Sequence, residues 1–411
     1  MDTYPLAVCG SAKGNIYLAD LDRAEELDCI TSVHEAQIDD DEDVTEAMKK
    51  LYGKYDGGGV IAIAILNDIV VSAGREGGLH VFKIDGEEES YYKGSRGGSA
   101  SNTKLNLKSE GKIWCLDSTL VTSLAFDDIG MLWTAGYDGF IRAFEYDDKE
   151  TPLAMQREPV YELDLGSEVL SISVNNEIGC GVAATAGGAV VLFSTEDGEI
   201  MAEWKPFGRG VGKRKREYAR SAIIVQNDEE STTAEGEERA AIWSVFCGGS
   251  EGSVYQKRLN IDSLGYVSDT KPFLNDDSLR GRARPSHSGT IMTLCSPSPG
   301  IFLSGSQDST VRVWNCSYYK KTKSANPIVQ DDDDEEEAHY DDIGGVDRRP
   351  ECLYALTGYK CWHGSLISDG KKLVTDGCDD TIVVHDFSGD DDNNEGFLFE
   401  DDDDMDDDFS L

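Results

Sequence analysis

The chain has 411 residues, and its 79 Asp and Glu against 38 Lys and Arg give a formal net charge of -41. A surface this acidic repels phosphates, so the composition argues against direct nucleic-acid binding through counterion release. The ten cysteines include no Cys-x-x-Cys pair, which predicts free thiols in a reducing, intracellular compartment. No run is long and apolar enough to predict a membrane span, and we expect no signal peptide.

A short unit of strands and tight turns recurs along the chain. Each unit combines runs of β-branched and apolar residues with polar or Gly-containing turns, which is typical of antiparallel strands. Some strands are apolar on both faces, as in IVVSAG at 69–74, so neighbouring sheets are expected to cover both faces. Seven units are predicted, and their first strands begin at Leu6, Val60, Val121, Val169, Ser221, Ile291 and Cys361.

The sixth unit, 291–315, carries the most specific motif. It is predicted to form a strand, a Pro/Gly turn, a strand, a tight polar turn and a third strand, and it contains LSGSQD followed closely by VRVWN. These residues resemble a WD repeat, the blade unit of a β-propeller. Asn315 stands where the family usually has Asp. The resemblance implies a buried hydrogen-bonded chain formed by His287, Ser304, Asp308 and Trp314.

The resemblance also implies the fold class, which is an all-β, seven-bladed β-propeller of four-stranded antiparallel blades with acidic disordered insertions and an acidic disordered tail. The propeller is expected over 1–389 and the tail over 390–411. The first unit lacks a predicted inner strand and the last an outer one; either 397–399 and the first residues fill these places, or the chain belongs to a longer protein. The predicted loop insertions are 34–56, 86–112, 205–220, 227–239 and 317–350.

The sequence predicts no catalytic, cofactor-binding or metal-binding residue, and therefore no cofactor and no enzyme. His287, Ser304 and Asp308 are the residue types of a hydrolase triad, but the WD-repeat resemblance assigns the same contacts to stability. The Gly-rich stretches at 57–59 and 344–345 lack the Lys and Ser or Thr of a phosphate loop. The Cys and His residues lack zinc-ligand spacing.

A partner-binding rim is predicted from the same resemblance. In WD-repeat proteins the residue before the turn Asp lies on the top rim of the ring, where partners commonly dock. Arg and Tyr are residue types that often anchor interfaces. Carried over position by position, this rule selects Arg75, Tyr137, Ser250, Gln307 and Cys378.

The leading hypothesis is a non-enzymatic scaffold or adaptor that binds unidentified protein partners as a monomer within a larger complex, without a membrane or nucleic acid. Two alternatives stay open. One is a nuclear chaperone or assembly factor that binds basic proteins through the acidic blocks 331–342 and 390–408; the other is a ubiquitin-ligase substrate receptor. The basic cluster Lys213, Arg214, Lys215 and Arg216 is of nuclear-localisation type, so cytoplasm and nucleus are both compatible, and an organelle too if the chain belongs to a longer protein.

Overall fold

A computed structural model describes residues 6–34, 59–75, 77–89, 102–114, 120–145, 158–207, 217–228, 242–259, 287–316, 319–320, 346–347, 350–377 and 381–388. Its regular elements are all β-strands, arranged in seven antiparallel sheets and one two-stranded ladder. Within these ranges no helix is both long and apolar enough to cross a membrane.

The seven sheets follow one another along the chain and are numbered here as blades 1 to 7. Blade 1 is formed by β1 (Leu6–Gly10), β2 (Ile16–Asp20) and β3 (Glu25–Ile30), and blade 2 by β4 (Val60–Leu66), β5 (Ile69–Gly74), β6 (Gly78–Glu89) and β7 (Asn102–Trp114). Blade 3 is formed by β8 (Val121–Phe126), β9 (Met131–Gly136), β10 (Phe140–Glu145) and β11 (Tyr161–Asp164), and blade 4 by β12 (Val169–Asn175), β13 (Cys180–Thr185), β14 (Val190–Ser194) and β15 (Ile200–Trp204).

The remaining sheets hold the second half of the chain. Blade 5 is formed by β16 (Ala219–Asp228), β17 (Ile242–Gly249) and β18 (Val254–Leu259), and blade 6 by β19 (Ile291–Ser298), β20 (Ile301–Ser306), β21 (Val311–Asn315) and β24 (Glu351–Leu356). Blade 7 is formed by β25 (Leu366–Ser368), β26 (Lys372–Asp376) and β27 (Ile382–Asp386). The separate ladder pairs β22 (Tyr319–Lys320) with β23 (Val346–Asp347).

The predicted seven-bladed, all-β propeller is confirmed. Strands adjacent in sequence pair antiparallel, so each blade is a meander whose turns need only a few residues. Blades 2, 3, 4 and 6 have four strands, and blades 1, 5 and 7 show three within the described residues. The inner strands β4, β8, β12, β16, β19 and β25 contact one another in chain order, which sets the blades side by side around the ring.

Blade 1 begins with a second strand. The backbone N–H of Ser11, just after β1, donates to the carbonyl of Asn15 at 2.9 Å. In blade 6 the same bond joins Ser306, the last residue of the second strand, to Thr310 at 3.2 Å. By this equivalence β1, β2 and β3 are the second, third and fourth strands of their blade, and the described residues supply no inner strand for it.

Six apolar clusters hold neighbouring blades together. In each of them, alternate side chains of one blade pack against the facing blade, as Leu18 of blade 1 does against Val70 and Phe82 of blade 2. Burial of apolar surface on this scale is the main stabilising contribution to a propeller. The clusters join blades 1 and 2, 2 and 3, 3 and 4, 4 and 5, 5 and 6, and 6 and 7.

The joint between blades 7 and 1 is of a different kind. No apolar cluster spans it among the described residues; Lys372 Nζ instead lies 2.9 Å from Asp22 Oδ1 of blade 1 and 2.6 Å from Asp386 Oδ2 of its own blade. The two carboxylates are about half exposed, with side-chain exposures of 58% and 48%. Exposed ion pairs contribute little to stability, so within the described residues this joint is less stabilised than the six that have an apolar cluster.

The predicted insertions differ from the structure most at 86–112. The sequence predicts a loop there, but β6 extends to Glu89 and β7 begins at Asn102, with Gly86 opposite Leu105 in their register. Smaller differences are β16, which overlaps the predicted insertions 205–220 and 227–239, and β22 and β23, which lie within 317–350. Leu107 on β7 is buried in the cluster between blades 1 and 2. Apolar side chains on alternate residues of β7 give the extended hairpin a buried face. The segment as a whole has a low mean hydropathy, which is typical of a loop, so the alternation was not recognised in the sequence.

Candidate functional site

The four predicted residues of blade 6 form one buried chain of contacts. His287 precedes the inner strand, Ser304 lies on β20, Asp308 lies in the tight turn and Trp314 lies on β21. His287 Nδ1 is 3.0 Å from Asp308 Oδ2, and its Nε2 is 2.7 Å from Ser304 Oγ. The indole N–H of Trp314 donates to Ser304 Oγ at 2.8 Å. The chain therefore links the loop before blade 6 to the second strand, the turn and the third strand.

The electrostatics of this chain suit a structural role. Burial lowers the pKa of His287, although the neighbouring Asp308 carboxylate opposes the shift. Burial acts to raise the pKa of Asp308, but hydrogen bonds from Thr310, from the Ser288 N–H and from His287 hold it below its usual range. Ser304 is 0% exposed, so its hydroxyl is enclosed within the blade. The imidazole of His287 lies within hydrogen-bond distance of this hydroxyl and of the Asp308 carboxylate and so links two parts of the blade.

Two more histidines occupy the place of His287 and were missed in the sequence. The backbone N–H groups of His34 and His287 donate to the carbonyls of Gly14 and Gly252 in the turn of the preceding blade, and that of His363 donates to the carbonyl of Ser306, at the end of the second strand of the preceding blade. All three histidines are buried. His34 Nε2 also lies 2.7 Å from Ser72 Oγ on β5, which repeats the contact of His287 with Ser304. Each of these histidines therefore links its own blade to the preceding blade through its backbone hydrogen bond.

Blade 3 replaces the histidine with an arginine. Arg142 on β10 is 7% exposed and makes two ion pairs, at 2.7 Å with Asp138 in the turn and at 2.9 Å with Glu162 on β11. Burial lowers the pKa of this guanidinium, but its hydrogen bonds and charge interactions with the two carboxylates give a net upward shift. Asp138 therefore pairs with a guanidinium on the third strand of blade 3, whereas Asp308 is bonded to the imidazole of a residue that precedes the first strand of blade 6.

The stability of the fold should depend on pH through His80. This residue lies on β6, with its ring 4.6 Å from that of His34. Burial, followed by the neighbouring His34 and Lys112, lowers the pKa of His80 to about 3. The unfolded chain binds a proton here below about pH 6.5 and the folded chain does not, so the free energy of unfolding should fall as the pH is lowered from about 6.5 toward 4.

The variant His80→Gln tests this dependence by urea denaturation at a series of pH values. Because the variant removes one group that takes up a proton on unfolding, its slope of unfolding free energy against pH should be shallower than that of the native chain. Equal slopes for the two proteins would contradict the assignment.

The structure brings four of the predicted rim residues to equivalent places. Each is the first residue after the second strand of its blade, and its backbone N–H donates to the carbonyl just before the inner strand at 2.9 to 3.0 Å. Tyr137 is 41% exposed, Gln307 is also exposed, and Arg75 and Ser250 are partly buried. Ala186 of blade 4 makes the same bond and was not selected, because Gly187 follows it where Asp or Glu follows each of the selected residues. The four residues and their acceptors are Arg75 and Gly59, Tyr137 and Leu120, Ser250 and Tyr218, and Gln307 and Thr290.

Several sequence predictions fall on parts of the chain that the structure does not describe. These are the fifth rim residue, Cys378, the basic cluster Lys213 to Arg216, the acidic blocks 331–342 and 390–408, and the tail 390–411. Within the described residues, no group of three His, Cys, Asp or Glu side chains converges as metal ligands would.

Comparison with known proteins agrees with the geometry of blade 6. Residues 281–315 match the family model for the WD domain, G-beta repeat. Among solved structures, the chain is similar to the crystal structure of the RRP9 WD40 repeats, with 14% identity, 90% of this chain and 83% of that chain covered, and a TM-score of 0.51. At this identity the likeness shows the fold alone. No curated protein matches the chain in sequence.

The seven blades, the buried chain of four side chains and the matched repeat define the class of protein. The chain is a seven-bladed β-propeller, and its sixth blade matches the WD40 repeat.

Proposed function

We propose that this propeller is a non-enzymatic protein-protein interaction scaffold whose rim of second-strand turns binds partner proteins. The observation that supports the proposal is the alignment of Arg75, Tyr137, Ser250 and Gln307, which four blades hold at one equivalent backbone position. A ring of such positions presents different side chains in a fixed arrangement, which is how a rigid surface gains specificity at little entropic cost. Exposed Tyr137 is of a residue type enriched at binding hot spots.

The free thiols support an intracellular site of action for such a scaffold. Eight cysteines lie in the described residues, and all are free. Burial raises the pKa of Cys180 and Cys295 to about 11, so these thiols stay protonated and unreactive near neutral pH.

An affinity pull-down from the source cell with quantitative mass spectrometry tests the rim. The variant carries Tyr137→Ala and Gln307→Ala, which remove exposed side chains and leave the backbone bonds of the turns in place. Loss of hot-spot side chains should lower the recovery of a defined set of partners by about tenfold or more. The matched control is Tyr354→Ala, because Tyr354 is equally exposed, at 48%, but lies on the fourth strand of blade 6.

The same experiment separates the scaffold from its rival. If the rim variant keeps every partner while a deletion of 331–342 and 390–411 loses basic proteins in a salt-dependent way, the chain is an assembly factor that works through its acidic blocks. If neither change affects recovery, the rim has no partner and the proposal is rejected.

A further inference from the structure

Five of the inner strands carry a β-bulge at the same place, the second residue of the strand. There the pairing with the second strand of the blade shifts, so the bulge residue has no residue opposite it. The rim N–H groups bond to the carbonyls just before these strands, so the bulges lie at the rim end of the ring and surround the mouth of its central channel. All five residues are partly exposed. They are Ile61, Thr122, Leu170, Arg220 and Met292.

Arg220 is the charged member of this ring of bulge residues. Its Nη1 donates to the carbonyl of Leu170 at 3.0 Å. Because Leu170 is the bulge residue of blade 4, the guanidinium lies where the inner strands of blades 4 and 5 meet. Burial lowers the pKa of Arg220, while Tyr218 and Tyr137 oppose the shift. The cation is therefore partly withdrawn from water, with two tyrosines close to it.

No carboxylate pairs with this guanidinium among the described residues. Its hydrogen-bond acceptor there is the Leu170 carbonyl, and its Nε and Nη2 are bonded to no protein atom, although neither nitrogen is fully enclosed. Arg142 of blade 3, in contrast, has two carboxylates. Partly buried cations are usually paired, because withdrawal from water costs free energy. The Nε and Nη2 groups form an edge that matches the two oxygens of a carboxylate, so the site is suited to an anion from another molecule.

The surroundings of Arg220 select the kind of anion. Tyr137 and Tyr218 are 41% and 36% exposed, and their rings offer aromatic surface to apolar side chains. Acidic residues lie at the same end of blades 4 and 5, and they disfavour a run of several carboxylates. A single carboxylate between apolar residues meets both conditions. The acidic residues are Glu168, Glu217 and Glu251.

The acidic blocks of this chain and a second copy of it fit the site less well. The blocks 331–342 and 390–408 are rich in Asp and Glu. One guanidinium pairs with one carboxylate and would leave the rest of such a block beside like charges. A second copy would bring a further net charge of -41. The charges therefore favour a partner protein as the occupant.

We propose that an extended segment of a partner protein places one Asp or Glu carboxylate on Arg220 at the mouth of the channel. The carboxylate accepts hydrogen bonds from Nε and Nη2, while the Leu170 carbonyl holds Nη1 and fixes the plane of the guanidinium. Apolar side chains on either side of the acidic residue pack on Tyr137 and Tyr218. This inference rests on the proposed function, because it names the chemical group that the rim face recognises.

The test uses the full chain and the capped heptapeptide SGLELGS, with binding measured by saturation-transfer NMR. One ion pair with two apolar contacts should give a Kd of about 1 mM or tighter. The same peptide with glutamine in place of glutamate should bind about tenfold more weakly, because it cannot form charge-assisted hydrogen bonds. Equal binding of the glutamine peptide, or no saturable binding of the glutamate peptide, would overturn the proposal.

Two variants locate the peptide on the ring. Arg220→Met should weaken binding by about tenfold or more. Its midpoint of urea denaturation should not fall, because the guanidinium has no carboxylate to lose. Tyr137→Ala removes an exposed side chain, should weaken binding by about threefold or more, and keeps the test valid if Arg220→Met does not fold. Peptide binding that survives the variants would show that the site lies elsewhere.

The matched control is Arg23→Met, which removes the same charge from a side chain that is 61% exposed in the turn between β2 and β3. It should leave peptide binding unchanged. If it weakens binding as much as Arg220→Met does, the peptide responds only to the net charge of the chain and the proposal is wrong.

Rival ligands give distinct results. A phosphoserine peptide that binds about tenfold more tightly than the glutamate peptide would show a phosphate site. Binding of the glutamate peptide that appears only after 390–411 is deleted would show that the tail occupies the mouth of the channel. Either result overturns the proposal.

The pull-down described above separates this inference from the proposed function when Arg220→Met is added to it. Lower recovery of rim partners with Arg220→Met supports the inference. If the rim variant loses partners while Arg220→Met keeps all of them, the scaffold stands and the carboxylate site is rejected. If neither variant loses a partner, both proposals fail.

Discussion

Replacing Trp314 with alanine should lower the free energy of unfolding by about 3–5 kcal/mol, the cost typical of removing a large buried aromatic side chain. Trp314 is 0% exposed, and its ring is stacked on Phe302 with a centroid distance of 5.8 Å. Phe302 in turn stacks at 4.3 Å on Phe246 of blade 5. The substitution therefore opens a cavity inside blade 6 and loosens its joint with blade 5. Equilibrium denaturation in guanidinium chloride measures the change.

The variant Trp314→Phe is the matched control, because it keeps a six-membered ring in the stack and removes the fused five-membered ring with the N–H that donates to Ser304 Oγ. Losing this donor in a buried site should cost about 1–3 kcal/mol. The order of stability should be native, then Trp314→Phe, then Trp314→Ala. An alanine variant within about 1 kcal/mol of the native chain would contradict the packing described for blade 6.

The second large effect is expected from Gly252→Ala. Gly252 has a φ of +86° in the turn of blade 5, and a Cβ there would lie 2.2 Å from the carbonyl oxygen of His287. The left-handed backbone costs an alanine about 1–2 kcal/mol, and the clash with fixed backbone should add about 1–3 kcal/mol more. The carbonyl of Gly252 also accepts a hydrogen bond from the backbone N–H of His287. The substitution should therefore loosen the joint between blades 5 and 6.

The control for this prediction is Gly188→Ala, at the same turn position of blade 4. Its φ is +82°, and the nearest atom to an added Cβ is Tyr218 Cβ at 3.7 Å, so it shares the conformational strain without the clash. Thermal and guanidinium denaturation of the two variants should differ by the contribution of the clash. If Gly252→Ala is no less stable than Gly188→Ala, the close approach of blades 5 and 6 is not as described.

The ring of seven blades could be predicted because its determinants are local. Short apolar runs separated by turn residues specify antiparallel meanders, and strands that are apolar on both faces require a sheet on each side. In blade 6 the residues of the buried chain lie close together in sequence, so His287, Ser304, Asp308 and Trp314 could be predicted from the resemblance of this segment to a WD repeat.

The features that the sequence did not reveal depend on contacts between residues that are far apart along the chain. His34 is separated from its strand β4 by 35–58, so spacing fails although the contact with Ser72 is the same. Arg142 lies opposite Glu162 only because of the register between β10 and β11. The ion pair between Lys372 and Asp22 joins residues near opposite ends of the chain, and no local pattern marks it.

The unequal joints have a consequence for how the ring holds together. Among the described residues, blades 2 to 6 each share two apolar interfaces and blades 1 and 7 each share one, and Lys372 of blade 7 makes a half-exposed ion pair with Asp22 of blade 1. Energetically the propeller is then a linear array in which each blade is stabilised by its neighbours, so opening starts at its two ends. A ligand that bridges blades 1 and 7 would give each end blade its second neighbour and convert the array into a closed cycle. Its effect on stability would therefore spread beyond the residues that it touches.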